Sequence, residues 1–241
     1  MRQSPLHQTE RLRYAPSSSF LEMEGEVQLA LSRAATHRLL GHNEFIYLQD
    51  DDAQYLYIVR SGHVRLSYLL EDGSAILFGI LPPGESFGEL GVFENGTHGD
   101  MATSVGTTSI HCIPATTFRT LGARYPALDV ALGRTIARRY RSYIALTRNL
   151  GLRTLPARLS QCLLRLADGL GSRMVYAARE VPYVGAFVTQ TDLGLMARGA
   201  RGNVNRALKI WEKSGWIAIR DRCILILDRP SLEALAFEDD L

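Results

Sequence analysis

The stretch VTQTDLGLMARGARGNVNRALKIWEKSGWIAIRDRCILIL, residues 188–227, decides the fold of the C-terminal half. Thr189 is followed three residues later by Asp192, which is the spacing of an approximate capping box at the start of a helix. The glycine of Arg198-Gly199-Ala200 supplies a tight turn, and a second helix is predicted from about residue 201 to residue 214. Two short helices joined by such a turn form a helix-turn-helix.

Two short strands are predicted after the second helix. They are Trp216–Ile219 and Ile224–Leu227, and Asp221-Arg222 turns one into the other. This hairpin has the position of a wing beside the helix-turn-helix. Residues 151–241 are therefore predicted to form a winged helix-turn-helix domain.

The second helix has one apolar face and one basic face. Val204, Leu208 and Trp211 recur at helical spacing and are expected to be buried. From the opposite face, arginine can bond guanine and asparagine can bond adenine in the major groove, while helix N-termini hold phosphates. Wing cations such as Arg220 or Arg222 are expected to touch the backbone. The positions predicted to bind double-stranded DNA are Thr189, Gln190, Arg201, Asn203, Asn205, Arg206 and Lys209, and the resemblance described below adds Gly202.

The distribution of charge agrees with a DNA-binding second half. Residues 1–133 hold nine Lys and Arg against fifteen Asp and Glu, whereas residues 134–241 hold eighteen against ten. An acidic half joined to a half of net charge +8 suggests that only the second meets a polyanion. Uneven scatter of solvated charge, or a winged helix kept as an oligomerisation module, would also give these counts.

The N-terminal half reads as short strands after a loose beginning. Residues 1–25 are predicted to be a flexible segment because of their prolines and serine run. Strands are expected at 55–60, 63–70 and 75–81, with a last one from about 102 to 113, each bounded by Gly or Pro turns. The overall class is thus α+β, with a β-barrel or jelly roll over residues 26–124.

One long amphipathic helix is predicted over residues 125–150. Its apolar positions are Leu128, Leu132, Ile136, Tyr140 and Tyr143. A helix of about 24 residues is ~36 Å long and outreaches a small domain. These apolar positions could be covered by packing of the helix on the barrel of its own chain, but a parallel partner helix in a homodimer is favoured.

Several classes of protein are not expected. No apolar run reaches the ~18–20 residues of a membrane span, and no secretion signal is present, so a cytoplasmic location is predicted. The isolated cysteines Cys112, Cys162 and Cys223 suit buried thiols in a reducing compartment. Without an H-x-H pair, H-E-x-x-H, nucleophile elbow or P-loop, neither an enzyme nor a bound metal or cofactor is predicted. Two rivals stay open: a metal-dependent enzyme using Glu89 and Asp100, and haem held by His63, His98 or His111.

The stretch GESFGELGVFENGTHGDMAT, residues 84–103, has the closely spaced glycines of an anion cradle. Where a cationic clamp would be expected to follow, the chain has His98, Gly99 and Asp100. A carboxylate at that place would repel an anion.

Two segments resemble the catabolite-activator (Crp/Fnr) family of bacterial transcription factors. FGELGVFENG (87–96) looks like its cyclic-nucleotide signature, and TQTDLGLMARGARGNVNRALKIWEKSGWI (189–217) resembles its recognition region. The likeness covers roughly residues 40–228. It implies a homodimeric DNA-binding regulator that contacts RNA polymerase and carries an effector site in the barrel.

The resemblance also assigns roles to single residues. Glu89 matches the glutamate that bonds the ribose of cyclic AMP, and Gly88 and Leu90 match its neighbours. The family's two phosphate-holding positions, normally arginine and then serine or threonine, fall on Gly99 and Asp100. Control by cyclic AMP is therefore not expected, and the effector stays unknown.

The recognition helix also departs from the family pattern. Arg201 and Arg206 match two base-reading arginines, but Gly202 stands where a glutamate usually reads cytosine. We expect an inverted-repeat site with half-sites one helical turn, ~34 Å, apart.

Overall fold

The computed structural model describes residues 20, 23, 25–94 and 96–238. The predicted flexible segment, residues 1–25, lies almost wholly outside the described residues. Within the described part, no helix is long and apolar enough to cross a membrane. The elements are, in chain order, α1 (Gly25–Ala34), β1 (Thr36–Leu40), β2 (Phe45–Tyr47), β3 (Tyr55–Leu69), β4 (Ala75–Leu81), β5 (Ser86–Phe87), α2 (Leu90–Phe93), β6 (Met101–Pro114), α3 (Ala115–Arg124), α4 (Pro126–Leu150), α5 (Leu155–Leu170), β7 (Arg173–Tyr176), β8 (Arg179–Val184), α6 (Gln190–Ala197), α7 (Arg201–Lys213), β9 (Ile217–Arg220), β10 (Cys223–Ile226) and α8 (Arg229–Glu238).

The first six strands form one antiparallel sheet, and this confirms the predicted α+β class. The strand order is β1-β6-β3-β4, with β2 paired to β6 and β5 paired to β3. Among the described strands this path stays open, because β1 and β4 lie at its two ends. The domain is therefore jelly-roll-like, and the barrel in the prediction is corrected to an unclosed sheet.

A β-bulge replaces one predicted turn. The sequence predicted two strands separated at Ser61-Gly62, but β3 runs through this point as a single strand. Its register against β6 shifts at Ser61, and Gly62 has a φ of 76°. A Cβ at Gly62 would lie 2.5 Å from the Thr107 carbonyl oxygen, so glycine is required by a bulge there.

The C-terminal half has a second sheet beside its helices. The strand order is β7-β8-β10-β9, and all pairs are antiparallel. The wing predicted from the sequence is the β9–β10 pair, whereas β7, β8 and α8 were not predicted. Thr154 caps α5 by accepting a hydrogen bond from the Ala157 amide, and Gly171 ends it with a left-handed φ of 61°.

Three large apolar clusters hold the chain together. One fills the inside of the β-sheet around Phe87 and Ile110. A second joins α1, α3 and the first turns of α4 around Phe118. The third fills the C-terminal half around Trp211, and it also includes Leu77 and Ile80 of β4. The C-terminal half therefore shares its core with the β-sheet domain.

Two helical glycines should respond oppositely to alanine. A Cβ on Gly194, in α6, would lie 2.4 Å from the Gly199 carbonyl oxygen, whereas a Cβ on Gly202, in α7, would meet nothing within 4 Å. We expect Gly194→Ala to lower the free energy of unfolding by about 1–3 kcal/mol through overpacking. Gly202→Ala should raise it by about 0.5–1 kcal/mol, because alanine loses less backbone entropy in a helix. Urea unfolding of both variants measures this, and equal effects would contradict the close packing of α6 against the turn.

Candidate nucleic-acid interface and effector pocket

The N-terminus of α6 is closed by a complete capping box. The Thr189 hydroxyl accepts from the Asp192 amide at 3.1 Å, and the Asp192 carboxylate accepts from the Thr189 amide at 2.7 Å. Thr189 itself is exposed, and Gln190 beside it is half-buried. The cap thus holds Thr189 rigidly at the surface, where its position suits a phosphate contact.

The amphipathic pattern of α7 is as the sequence predicted. Its inner face buries Val204, Leu208 and Trp211. Its outer face consists of exposed positions, which are Arg201, Gly202, Asn203, Arg206 and Lys209.

Asn205 differs from the other predicted DNA contacts. It is half-buried, and its Nδ2 donates to the Gln190 side-chain oxygen at 3.1 Å. This bond joins the two helices of the helix-turn-helix. Arg206 and Asn203, in contrast, are bonded to each other at 3.2 Å on the open surface.

An open groove of about 480 Å³ lies between the two helices and the wing. Thr189, Gln190, Arg201 and Arg222 are among the residues that line it. Asp221 and Arg222 both have positive φ, at 48° and 65°, which is the conformation of a two-residue type I′ hairpin turn. The tight turn therefore brings a wing cation to the same groove as the caps of α6.

The predicted effector residue Glu89 is already paired within the chain. Arg139 of α4 forms an ion pair with Glu89 and also donates to the Ser86 carbonyl oxygen. The Arg139 and Glu89 side chains are only 10% and 13% exposed. The pair therefore links α4 to the loop before α2 in a poorly hydrated place.

Asp100 lies in the same pocket and bonds a tyrosine. The Tyr47 hydroxyl donates to Asp100 Oδ1 at 2.9 Å, and the Tyr47 ring stacks on His98 at 3.6 Å between centroids. Burial raises the pKa of Asp100 to about 6. Burial and the neighbouring Asp100 carboxylate together raise the pKa of Tyr47 well above its ordinary value.

The other three predicted pocket residues shape the backbone. Gly88 has a φ of 74°, and a Cβ there would lie 2.8 Å from the Tyr57 ring. Leu90 is 46% exposed, and Gly99 lies opposite it, with its Cβ position 3.8 Å from Leu90. The side chains around this backbone include two carboxylates, Glu89 and Asp100, and the guanidinium of Arg139.

Sequence reasoning missed Tyr47 and Arg139. Arg139 stands in a run of arginines on α4 that looked like solvated charge, and only its place between Ile136 and Tyr143 signalled an inward direction. Tyr47 carries no local signal, because β2 reaches the pocket only through its pairing with β6.

The predicted dimer residues divide into two groups. Leu128 and Leu132 have no exposed surface and belong to the chain's own core, and Ile136 packs against that core. Tyr143 lies against Phe78 at 5.1 Å between ring centroids. Tyr140 alone of the five is strongly exposed, at 66%. Four of the five positions therefore face the chain itself, and Tyr140 faces outward.

The histidines named as possible haem ligands and the cysteines predicted to be buried thiols are dispersed over the fold. In the part of the chain that the structure describes, no three His, Cys, Asp or Glu side chains form a group that could hold a metal ion. His63 stacks on Phe187 at 3.8 Å between ring centroids, and His111 lies against His37. Cys112 and Cys162 are buried free thiols, and Cys223 is half-buried.

Two family models match the chain. The model of the cyclic nucleotide-binding domain matches residues 37–125, and the model of the Crp-like helix-turn-helix domain matches residues 157–235. The chain is similar to a CRP-like cAMP-activated global transcriptional regulator of Mycobacterium tuberculosis, with 29% identity over 80% of this chain and 83% of that protein. It is 28% identical to a cyclic AMP receptor protein of Thermus thermophilus over 88% of this chain and 93% of that protein.

Solved structures show the same architecture. A CRP-family transcriptional regulator from Thermus thermophilus superposes with a TM-score of 0.66 at 26% identity, covering 83% of this chain and 96% of that chain. Both predicted modules are thus matched in the predicted order. The chain belongs to the Crp/Fnr family of DNA-binding transcription regulators.

Proposed function

We propose that the protein acts as a homodimer on an inverted-repeat DNA site, and that cyclic AMP does not control it. The observation that carries the DNA part is the exposed basic face of α7 beside the capped N-terminus of α6. Arg201 and Arg206 are proposed to contact bases, and Asn203 contacts a base or the backbone. Gly202 leaves the intervening position without a side chain, so selectivity is relaxed there.

Backbone contacts are assigned to the groove beside α7. Thr189, Gln190 and Arg222 line this groove and set the docking register on the phosphates. Lys209 extends the phosphate contact along α7. Asn205 acts through its bond to Gln190 and orients that side chain.

The dimer contact is proposed on the exposed stripe of α4. Exposed side chains recur along α4 with alternating steps of three and four residues, the a and d positions of a coiled coil. In a parallel pair, Asp129 at a g position would face Arg134 at an e position of the second copy, which is an attractive contact. The stripe consists of Val130, Gly133, Ala137, Tyr140 and Ile144.

The pocket argues against cyclic AMP on electrostatic grounds. By the family resemblance Asp100 takes the place of a residue that holds the phosphate, and the Tyr47 hydroxyl donates to this carboxylate. Replacing an arginine–phosphate pair with two anions turns an attraction into a repulsion. We further propose domain limits of 26–124, 125–150 and 151–241. A cytoplasmic location and contact with RNA polymerase rest on the family alone.

The experiment that tests the proposed function is selection from a pool of genomic fragments by the purified, ligand-free protein. We expect enrichment of one inverted repeat with half-sites about one helical turn apart. Added cyclic AMP should leave the enrichment unchanged. Binding without sequence preference at near-physiological salt would contradict the proposal, and so would enrichment that requires the nucleotide.

Arg206→Ala should weaken binding to the selected site by about 1–3 kcal/mol and relax the base preference at one position in each half-site. Lys209→Ala is the matched control, since loss of a phosphate contact weakens all sequences alike and reduces the salt dependence. Competition titrations against single-base variants of the site measure both effects. Equal loss on all variants would make Arg206 a backbone contact.

Ile144→Glu should convert the dimer into a monomer at micromolar protein concentration, because the substitution puts two like charges into the seam. Ala145→Glu is the control, since residue 145 is exposed but lies off the stripe. Sedimentation equilibrium of the two variants gives the association constants. If both remain dimeric, the contact lies elsewhere on the chain.

Asp100→Asn should stabilise the protein at pH 7.5. The pKa of Asp100 is raised from 3.8 to about 6, so the folded state holds its proton to higher pH than the unfolded state. Stability therefore falls as the pH rises from about 4 to about 6, and the full cost remains above that range. The variant should gain on the order of 1–3 kcal/mol at pH 7.5 and nothing near pH 4.

The control for this pH effect is Asp72→Asn. Hydrogen bonds from Ser74 lower the pKa of Asp72, so its substitution should destabilise the protein at neutral pH. Urea unfolding at several pH values measures both variants. A less stable Asp100→Asn variant at pH 7.5 would show that the carboxylate stabilises the pocket.

A further inference from the structure

A buried ion pair joins the β-sheet domain to the first helix of the helix-turn-helix. Arg65 of β3 donates from Nε to Asp192 Oδ1 at 2.7 Å and from Nη2 to Asp192 Oδ2 at 3.1 Å. The two side chains are 12% and 5% exposed. Arg65 Nη1 also donates to Asn43 Oδ1 at 3.0 Å. All three nitrogens of the guanidinium are thus engaged, and its orientation is fixed.

The partner of Arg65 is the residue that closes the capping box. Asp192 Oδ2 also accepts from the Thr189 amide and hydroxyl, at 2.7 and 2.8 Å. One carboxylate therefore bonds both the β-sheet domain and the N-terminal turn of α6. Any rotation of α6 away from β3 would have to separate a charge-assisted, two-point contact in a poorly hydrated place.

Further contacts surround this ion pair. His63, two residues before Arg65, stacks on Phe187, which lies just before α6. Leu77 and Ile80 of β4 belong to the same apolar cluster as Trp211 of α7. The interface is thus a continuous contact of two strands against the DNA-binding half.

The interface leaves the DNA-binding face open. Thr189, Arg201 and Arg206 are all exposed while Arg65 is paired with Asp192. The contact therefore does not block DNA. It sets the direction in which α7 points relative to α4, the helix proposed to form the dimer.

We propose that Arg65 is a positioning residue for DNA recognition, acting through Asp192. This inference rests on the proposed function. Two recognition helices engage an inverted repeat together only if each is held in a defined orientation to the dimer axis. A DNA-binding half that could turn freely would lose orientational entropy on binding both half-sites, and a fixed half has lost it already.

The test compares the affinity for the full inverted repeat with that for one isolated half-site. Arg65→Met keeps the apolar stem and removes the pairing. We expect it to weaken binding to the full repeat about tenfold or more, within the usual range of coupling between sites, and to leave half-site binding nearly unchanged. Arg65→Lys, which keeps the charge but loses the two-point geometry, should restore part of the difference.

The matched control is Arg229→Met. Arg229 makes a two-point ion pair with Asp168, at 2.6 and 2.7 Å, which is more exposed than the Arg65–Asp192 pair and lies wholly in the C-terminal half. Its loss should lower the stability of that half and leave the ratio of full-site to half-site affinity as in the wild type. A ratio that falls equally in both variants would show general loosening and overturn the positioning role.

A second readout needs no DNA. Hydrogen exchange of the α6 amides should become faster in Arg65→Met, while exchange in α7 stays as in the wild type. Suppose that the wild type selects the repeat. If Arg65→Met then changes neither the hydrogen exchange of α6 nor the ratio of full-site to half-site affinity, the inference is overturned. If the wild type binds the repeat no better than a half-site, the proposed function fails and this inference fails with it.

Discussion

The carboxylate of Asp192 is nearly removed from water, and the arrangement of the molecule depends on how its charge is satisfied. Two hydrogen bonds come from Thr189 and two from Arg65. A buried charge is strongly unfavourable unless it is paired and hydrogen-bonded, and Thr189 and Arg65 each supply part of what this carboxylate needs. The local cap of a DNA-binding helix and the packing of two domains are thereby one structural unit.

The predicted effector pocket also contains largely buried carboxylates, and other residues satisfy their charge. Glu89 is paired with Arg139, which comes from α4 and not from the loop that forms the pocket. Asp100 accepts a hydrogen bond from the Tyr47 hydroxyl, and burial raises its pKa. One carboxylate is thus matched with a cation and the other carries the cost of desolvation. This difference between the two carboxylates is the basis of the proposal that cyclic AMP does not control the protein.

The pocket around Asp100 and the contact of Arg65 with Asp192 lie on neighbouring parts of the paired strands β3 and β6. Asp100 immediately precedes β6, and Thr103 of β6 is the register partner of Arg65. The strand that begins at the pocket therefore pairs with the strand that holds α6. The pocket at Asp100 and the contact between Arg65 and Asp192 are therefore only a short distance apart along one rigid sheet.

The sequence alone determined much of the local structure and the order of the modules. Local patterns have local causes, so Thr189 and Asp192, three residues apart, predicted the cap, and the period of Val204, Leu208 and Trp211 predicted the buried face of α7. The two family signatures predicted the order of the modules. Tertiary structure alone decided what depends on contacts between distant segments: the bulge at Gly62, the pairing of Arg139 with Glu89 and the surface that covers Leu128 and Leu132. The pairing of Arg65 with Asp192 spans 127 residues of chain, and no periodicity in a single segment encodes such a contact.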